Sequence, residues 1–227
     1  MPNWVSNHVQ CTNSDALSRL RDFSLIIPEH PAIALLSGLA AQHAAQLYQQ
    51  GKSWRAVATD PAFVASLDQE QKDTPAKHRL TPERAARRYL LYCKVHGCVD
   101  WYDWRCEHWG SKWNVYHYRH QGGEVWFETA LMHPWPVLEA LSRQFPAEVF
   151  SVSYADEDIG SDTGTYEMQN GKLLTGGEPD DGSREAFELA FFHWGGEEDY
   201  VLCDGNYHHR DDDEAGREDT SKSAPSA

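Results

Sequence analysis

Three groups of side chains in this 227-residue chain have types that do chemistry. The first is a set of thiols and imidazoles, Cys93-x4-Cys98-x7-Cys106 with His96 and His108 close by. These ligand types suit zinc, but a structural zinc site usually brings them in pairs about two to four residues apart, and this spacing does not. Cys93 also lies on the apolar stripe of a helical pattern, where a buried free thiol is ordinary. The tight C-x2-C spacing that holds an iron–sulfur cluster is absent. His208-His209 beside Asp211, Asp212 and Asp213 would take a divalent cation only adventitiously, because adjacent side chains point in different directions. No metal and no cofactor is expected.

The second group is aromatic and basic. Trp101, Trp104, Trp109 and Trp113 are interleaved with Asp103, Glu107, His108 and Lys112. Such tryptophans either pin elements together, with Asp103 or Glu107 pairing Lys112, or line a binding groove. Arg84, Arg87 and Arg88 form a basic helical segment; with Trp101, Trp104, Trp109 and Lys112 they make a candidate surface for nucleic acid. Strands carrying Tyr116, Tyr118, Arg119 and Trp126 share residue types with sheet-type RNA binders, but the recognition motif of that class is missing. So are G-x-S-x-G, the P-loop, H-E-x-x-H and G-x-G-x-x-G, so no catalytic residue is assigned. A triad assembled by the fold would leave no mark in the spacing.

The third group is acidic. Residues 1–146 carry 15 Lys and Arg against 14 Asp and Glu, a net of +1, whereas residues 147–227 carry 5 against 21, a net of −16. A field of one sign repels nucleic acid and membrane phosphates and attracts basic surfaces, fading over about 8 Å at physiological salt. Asp156, Glu157, Asp158 and Asp162, at a strand end, and Glu178, Asp180 and Asp181, before the last helical pattern, are the candidate partner contacts. Residues 208–227, with Asp211 to Glu214 and a Ser/Ala/Pro-rich end, read as an acidic disordered tail.

Alternation from Trp4 to Cys11 predicts a strand, and Ser14 or Asp15 then caps a helix through Leu17, Leu20 and Phe23. Residues 28–97 read as an all-helical insertion. Pro31 opens one helix that runs to Gly51, Asp60-Pro61 a shorter one, and Thr81-Pro82 a third with Ala85, Ala86, Tyr89, Leu90 and Cys93 on one stripe. Trp113 to His120 and Glu124 to Leu131, separated by Gly122-Gly123, predict a hairpin. A helix from Pro136 and a strand from Val149 to Tyr154 follow. With the insertion set aside, the order is the split β-α-β-β-α-β of ferredoxin-like folds. Asn170-Gly171 then marks another hairpin, and Ser183 caps a last helix.

Several segments together resemble one known family. They are Met1-Pro2-Asn3-Trp4 with Asn7, Trp101-Tyr102-Asp103-Trp104 continuing to Trp109-Gly110-Ser111-Lys112-Trp113, Phe127-x-Thr129-Ala130, and Pro134-x-Pro136-Val137-Leu138 before Gln144-Phe145-Pro146. The chain resembles the YubB-like family across roughly residues 1–25 and 98–160. That resemblance implies a ferredoxin-like domain with a central helical insertion, carried mostly by conjugative plasmids, phages and integrated elements of bacteria.

The expected protein is α+β, with a ferredoxin-like domain over 1–27 and 98–207, the insertion at 28–97, and a C-terminal hairpin plus helix. No apolar run reaches the roughly 18 residues of a membrane span, and the N-terminus lacks the basic start and apolar stretch of a signal peptide. Five cysteines at irregular spacing fit a reducing compartment, so a cytoplasmic location is expected. The expected function is that of a non-enzymatic mobile-element accessory protein that binds a host protein with a basic surface. An acidic inhibitor of a CRISPR effector or restriction enzyme, acting by nucleic-acid mimicry, is the specific form. The alternative is a nucleic-acid-binding or conjugation accessory using the basic helix and tryptophans.

Overall fold

In β1 (Trp4–Gln10), residues 5–9 are all buried, so both sides of the strand are covered. Val5, Asn7 and Val9 face one way, Ser6 and His8 the other, as strand alternation requires. The computed structural model describes residues 3–210. After α1 (Ser14–Arg19) the chain enters a helical unit of α2 (Gly38–Gln49), α3 (Trp54–Ala58), α4 (Pro61–Glu70), α5 (Pro82–His96) and α6 (Trp101–Trp109). It then returns through β2 (Tyr116–Gln121), β3 (Glu124–Ala130), α7 (Trp135–Gln144), β4 (Phe150–Asp156), β5 (Thr163–Gln169), β6 (Lys172–Gly177) and α8 (Arg184–Trp194). A hairpin of β7 (Tyr200–Cys203) and β8 (Asn206–His209) closes the described chain.

Residues 3–26 with 111–210 form one compact unit, and 27–110 the other. The sheet of the first has the order β2-β3-β1-β4-β5-β6, with antiparallel neighbours throughout. Its first four strands, with α1 and α7 as crossovers, make the ferredoxin-like β-α-β-β-α-β arrangement, and the β5–β6 hairpin extends the β4 edge. Asn170 and Gly171 take positive φ (49° and 70°) in the two-residue turn between β5 and β6, as a primed hairpin turn demands.

Asn7 lies opposite both Phe127 and Tyr154, and Val9 opposite Val125 and Val152. This face of the sheet packs on the buried Leu17 and Leu20 that follow β1 and on Val137, Leu138 and Leu141 of α7. The opposite face carries Ser6, His8 and Ser153 and is covered by α8, whose Ala186 and Ala190 are buried. In the helical unit, Ala40, Ala44, Val57, Phe63, Leu67 and Ala85 form the core.

Five local expectations are corrected. Asn13, not Ser14 or Asp15, caps α1 by accepting from Asp15 N–H and Ala16 N–H, and the helix stops at Arg19 with Phe23 in a separate 3-10 turn. The helix expected from Pro31 is interrupted: Ile33–Leu35 is a 3-10 turn, Leu36 and Ser37 leave the helical region, and α2 starts at Gly38. Short α3, capped by Ser53, has no counterpart in the periodicity. Helix α6 stands where no element is expected, because its apolar residues are scattered round the helix and leave no stripe to read. It belongs to the helical unit, with Trp101 N–H donating to Leu36 O (3.2 Å) and Trp109 Nε1 to Ile27 O (3.0 Å), so that unit ends at Gly110 and not at Gly97. Finally, β8 carries ordered strand through His208 and His209; Asp211 to Glu214 and the rest of the expected tail lie outside the described residues.

Candidate functional site

Two loops meet at one end of β4, β5 and β6. The first, residues 157–162, turns at Asp162, which takes a positive φ of 44°. The second, residues 178–182, leads from β6 to α8. Asp162 N–H donates to Asp181 Oδ1 (3.1 Å) and Gly182 N–H to Gly160 O (2.8 Å), so the loops are laced together, while Ser183 N–H donates to Asp180 O (3.0 Å) within the second. Glu157, Asp158, Asp162, Glu178, Asp180 and Asp181 are exposed, and no ion pair among the described residues includes any of them. Six of the seven acidic candidates therefore share one corner.

Asp156 is the exception and is corrected. It is 3% exposed, with Oδ1 accepting from Asn3 Nδ2 (3.2 Å) and Asp158 N–H (2.8 Å). Burial raises its pKa, and its part is to tie the first loop to the chain ahead of β1, not to meet a partner.

Beside these carboxylates opens a cavity of about 280 Å³ lined by Val5, Leu131, Met132, His133, Trp135, Tyr154, Asp162 and Glu178. An adjoining cavity of about 430 Å³ shares Trp135, Tyr154 and Glu178 and adds Tyr166 and Leu173. Tyr154 lies flat across β5 because residue 164 is glycine; a Cβ there would stand 2.6 Å from the tyrosine hydroxyl. That hydroxyl donates to Glu178 Oε1 (2.7 Å), and His133 stacks on the ring with centroids 4.0 Å apart.

Behind the cavity wall the protons are ordered. Asn7 Nδ2 donates to Val5 O (2.8 Å) and Thr129 Oγ1 (3.0 Å), which turns Asn7 Oδ1 toward His133 Nδ1 (2.7 Å). Burial pushes the His133 pKa down to about 3, so the ring is neutral and Nδ1–H donates to Asn7. Nε2 then accepts from the Tyr166 hydroxyl (2.7 Å). A hydroxyl, an imidazole and an amide in this order match the layout of an activated nucleophile with its base and orienting group. Burial, with Tyr154 adding to it, holds Tyr166 well above the ordinary tyrosine range, so its hydroxyl is protonated at rest and donates to His133. Nothing in the spacing points to Asn7, His133 and Tyr166, which are separated by 126 and 33 positions and meet only through the sheet register.

The opposite sheet face holds a second histidine site. His193 reaches Ser6 Oγ through Nδ1 and Ser153 Oγ through Nε2, both at 3.0 Å, and burial lowers its pKa to about 4. His8 stacks on Trp126 at 4.1 Å and meets Glu124 at 3.0 Å.

The basic and aromatic candidate surface is largely consumed by packing. Trp104 and Trp109 are 6% and 2% exposed, so they offer no stacking platform to a ligand. Arg87 Cζ lies 3.7 Å from the centroid of the Trp54 ring, Arg88 sits over Tyr92, and Lys112 over Trp113. Arg84 is exposed and Trp101 half-buried. Cys93 and Cys98 are buried thiols pushed up to about 11, and among the described residues no three His, Cys, Asp or Glu side chains converge as metal ligands would. Also among the described residues, no helix is long and apolar enough to cross a membrane.

Residues 112–204 match a family model described as the ferredoxin-like domain in Api92-like protein. No curated protein matches the chain. A solved structure similar to it is that of protein api92 from Yersinia pseudotuberculosis, at 14% identity and a TM-score of 0.39, covering 79% of this chain and 98% of that one. The part of the chain from β2 through β7 is thus similar to the Api92-like ferredoxin-like domain.

Proposed function

We propose that this chain is a non-enzymatic binding protein whose acidic corner docks on a basic surface of a partner protein. The observation that carries this reading is the set of six exposed carboxylates on two interlaced loops, none of them engaged in an ion pair among the described residues. Charges that repel one another destabilise a compact state unless something outside the molecule neutralises them. The YubB-like resemblance favours a mobile-element accessory protein working in the cytoplasm. With it, the partner of choice is a nucleic-acid-handling host defence protein, such as a CRISPR effector or restriction enzyme, whose Lys- and Arg-lined channel the carboxylates would occupy as phosphates do.

The test uses the tagged full chain and a variant carrying Glu157→Gln, Asp158→Asn, Asp162→Asn, Glu178→Gln, Asp180→Asn and Asp181→Asn. Each is used to capture proteins from host lysate at low and at high salt, followed by mass spectrometry. The expected result is one basic protein captured in stoichiometric amount at low salt, lost at high salt and lost with the variant, and displaced from the chain by nucleic acid. Equal capture by both chains, or recovery of nucleic acid in place of protein, overturns the reading. The alternative of direct nucleic-acid binding draws on Arg84, Arg87 and Arg88 without the buried Trp104 and Trp109, and retardation of nucleic acid by the full chain at low salt would favour it.

A further inference from the structure

We propose that the cavity beside the acidic corner is a socket for a single arginine side chain of the partner. This deepens the docking reading above and rests on it. Two properties of the cavity point to a cation. The ring it offers to a ligand is that of Trp135, 39% exposed, with the buried Tyr154 in the same lining; the adjoining cavity adds the buried Tyr166, whose ring centroid lies 4.8 Å from that of Trp135. The faces of such rings are electronegative and attract a cation placed over them. Its polar rim is acidic. Glu178 gives Oε1 to the Tyr154 hydroxyl, which fixes the carboxylate and leaves Oε2 to accept, and the Asp162 carboxylate stands on the same rim.

Nothing in the wall opposes a positive charge. No lysine or arginine lines either cavity, and His133, with both ring nitrogens engaged inside the protein, adds no charge of its own. An anion would meet Glu178 and Asp162, and a metal ion would find rings where it needs ligands. Arginine fits better than lysine because its planar guanidinium stacks on aromatic faces while its edge donates to carboxylates in a fork; the ammonium of lysine is a compact, strongly hydrated point charge. A guanidinium that stacks on Trp135 can direct its N–H groups to Glu178 Oε2 and Asp162. The remaining carboxylates of the corner would then supply the salt-sensitive attraction, and this socket the choice of residue.

The full chain, labelled with 15N, is titrated with three blocked octapeptides alternating glycine with arginine, with lysine, or with citrulline, the neutral isostere of arginine. Affinity is read by calorimetry and the site by the Trp135 indole N–H resonance. The expected result is a shift of that resonance with the arginine peptide, about tenfold tighter binding than the lysine peptide, and no binding of the citrulline peptide. Trp135→Leu and Glu178→Gln should each lose about tenfold for the arginine peptide and bring it level with lysine. The amide oxygen introduced by Glu178→Gln can still accept from the Tyr154 hydroxyl, so this variant keeps the fold even where Trp135→Leu perturbs the start of α7.

Equal affinity for arginine and lysine, with Trp135→Leu and Glu178→Gln unchanged, overturns the socket. If Glu157→Gln, Asp158→Asn, Asp180→Asn and Asp181→Asn together abolish that binding, the docking corner survives its loss. No binding of either basic peptide by the full chain at low salt overturns both.

Discussion

The helical unit, residues 27–110, carries 10 Lys and Arg against 9 Asp and Glu, and much of its positive charge is engaged internally. Arg105 makes two hydrogen bonds of 2.9 Å to Glu29 while its guanidinium stands 5.1 Å from the ring centroids of both Trp101 and Trp109. Arg79 donates to Thr74 O and Lys72 O, both at 2.7 Å, and Arg87 lies on Trp54. The described residues of the sheet unit carry 8 Lys and Arg against 20 Asp and Glu, and the carboxylates of its corner have no cationic partner among them. The sheet unit also pairs charges within itself, Arg143 with Glu139 and Arg184 with Glu188, but the six carboxylates of its corner stand outside every ion pair among the described residues, so that this unit, and not the arginine helix, has charge to offer.

Acidification should break this comparison most strongly, because the deeply shifted histidines belong to the sheet unit. His133 titrates near 3 and His193 near 4 in the folded chain, against 6.5 for the free side chain. The unfolded chain therefore binds more protons between these values, so stability is full above about pH 6.5 and is lost as pH falls toward 3. Each tenfold displacement of a protonation equilibrium is worth about 1.4 kcal/mol, so the pair amounts to several kcal/mol. Asp156, raised by burial, works in the opposite direction and relaxes as pH falls. In the helical unit His96 is also lowered, by burial and by His30, but lies nearer to solvent. Hydrogen exchange at pH 7 and pH 4.5 should show β1, β4 and β5 losing protection before α2 and α5; equal loss in both units would erase the distinction.

The next effect is on binding. Converting the six corner carboxylates to amides should cost at least about a hundredfold in low-salt affinity for the arginine peptide while the melting temperature holds or rises, since only repulsion is removed from the fold. A large fall in melting temperature would mean that the corner is structural after all, and the contrast between the units would fail.

Periodic features of both units are legible in the sequence. The alternation of β1, the Gly122-Gly123 and Asn170-Gly171 hairpins, the stripe of α5 and the Ser183 cap all carry local signals of the right period, and they suffice for the ferredoxin-like order. What escapes is non-periodic or non-local. Helix α6 has no stripe because tryptophans and charges alternate round it. Asp156 reads like its exposed neighbours Glu157 and Asp158, and only the pairing of β4 with β1, which sets it opposite Val5, buries it. The acidic corner is visible as composition, but the cavity beside it is built from Tyr154, Tyr166 and Trp135, each of which reads locally as a core aromatic.

Within the helical unit, Arg105→Met should cost about 1–3 kcal/mol, because the pair with Glu29 is only 24% and 17% exposed and the orphaned carboxylate would remain there. Adding Glu29→Gln should recover part of that loss in urea unfolding, as expected where the penalty is an unpaired charge and not a lost contact. Full persistence of the loss in the double variant would instead assign the cost to the packing of Arg105 on Trp101 and Trp109.

The smallest effect sharpens the comparison furthest, because it separates the two uses of one residue. Arg87 is exposed and belongs to the helix that would contact nucleic acid in the alternative reading, yet its guanidinium lies on Trp54. If that contact is its role, Arg87→Met keeps the apolar stem, loses the cation–π attraction and lowers stability by about 0.5–1 kcal/mol, with no change in any nucleic-acid retardation. Arg84→Met, on the same helix, should leave stability within about 0.5 kcal/mol, as surface substitutions usually do. The opposite pattern, both variants stable and both weaker in retaining nucleic acid, would make the helical unit the one with charge to offer and would reverse the assignment of roles between the two units.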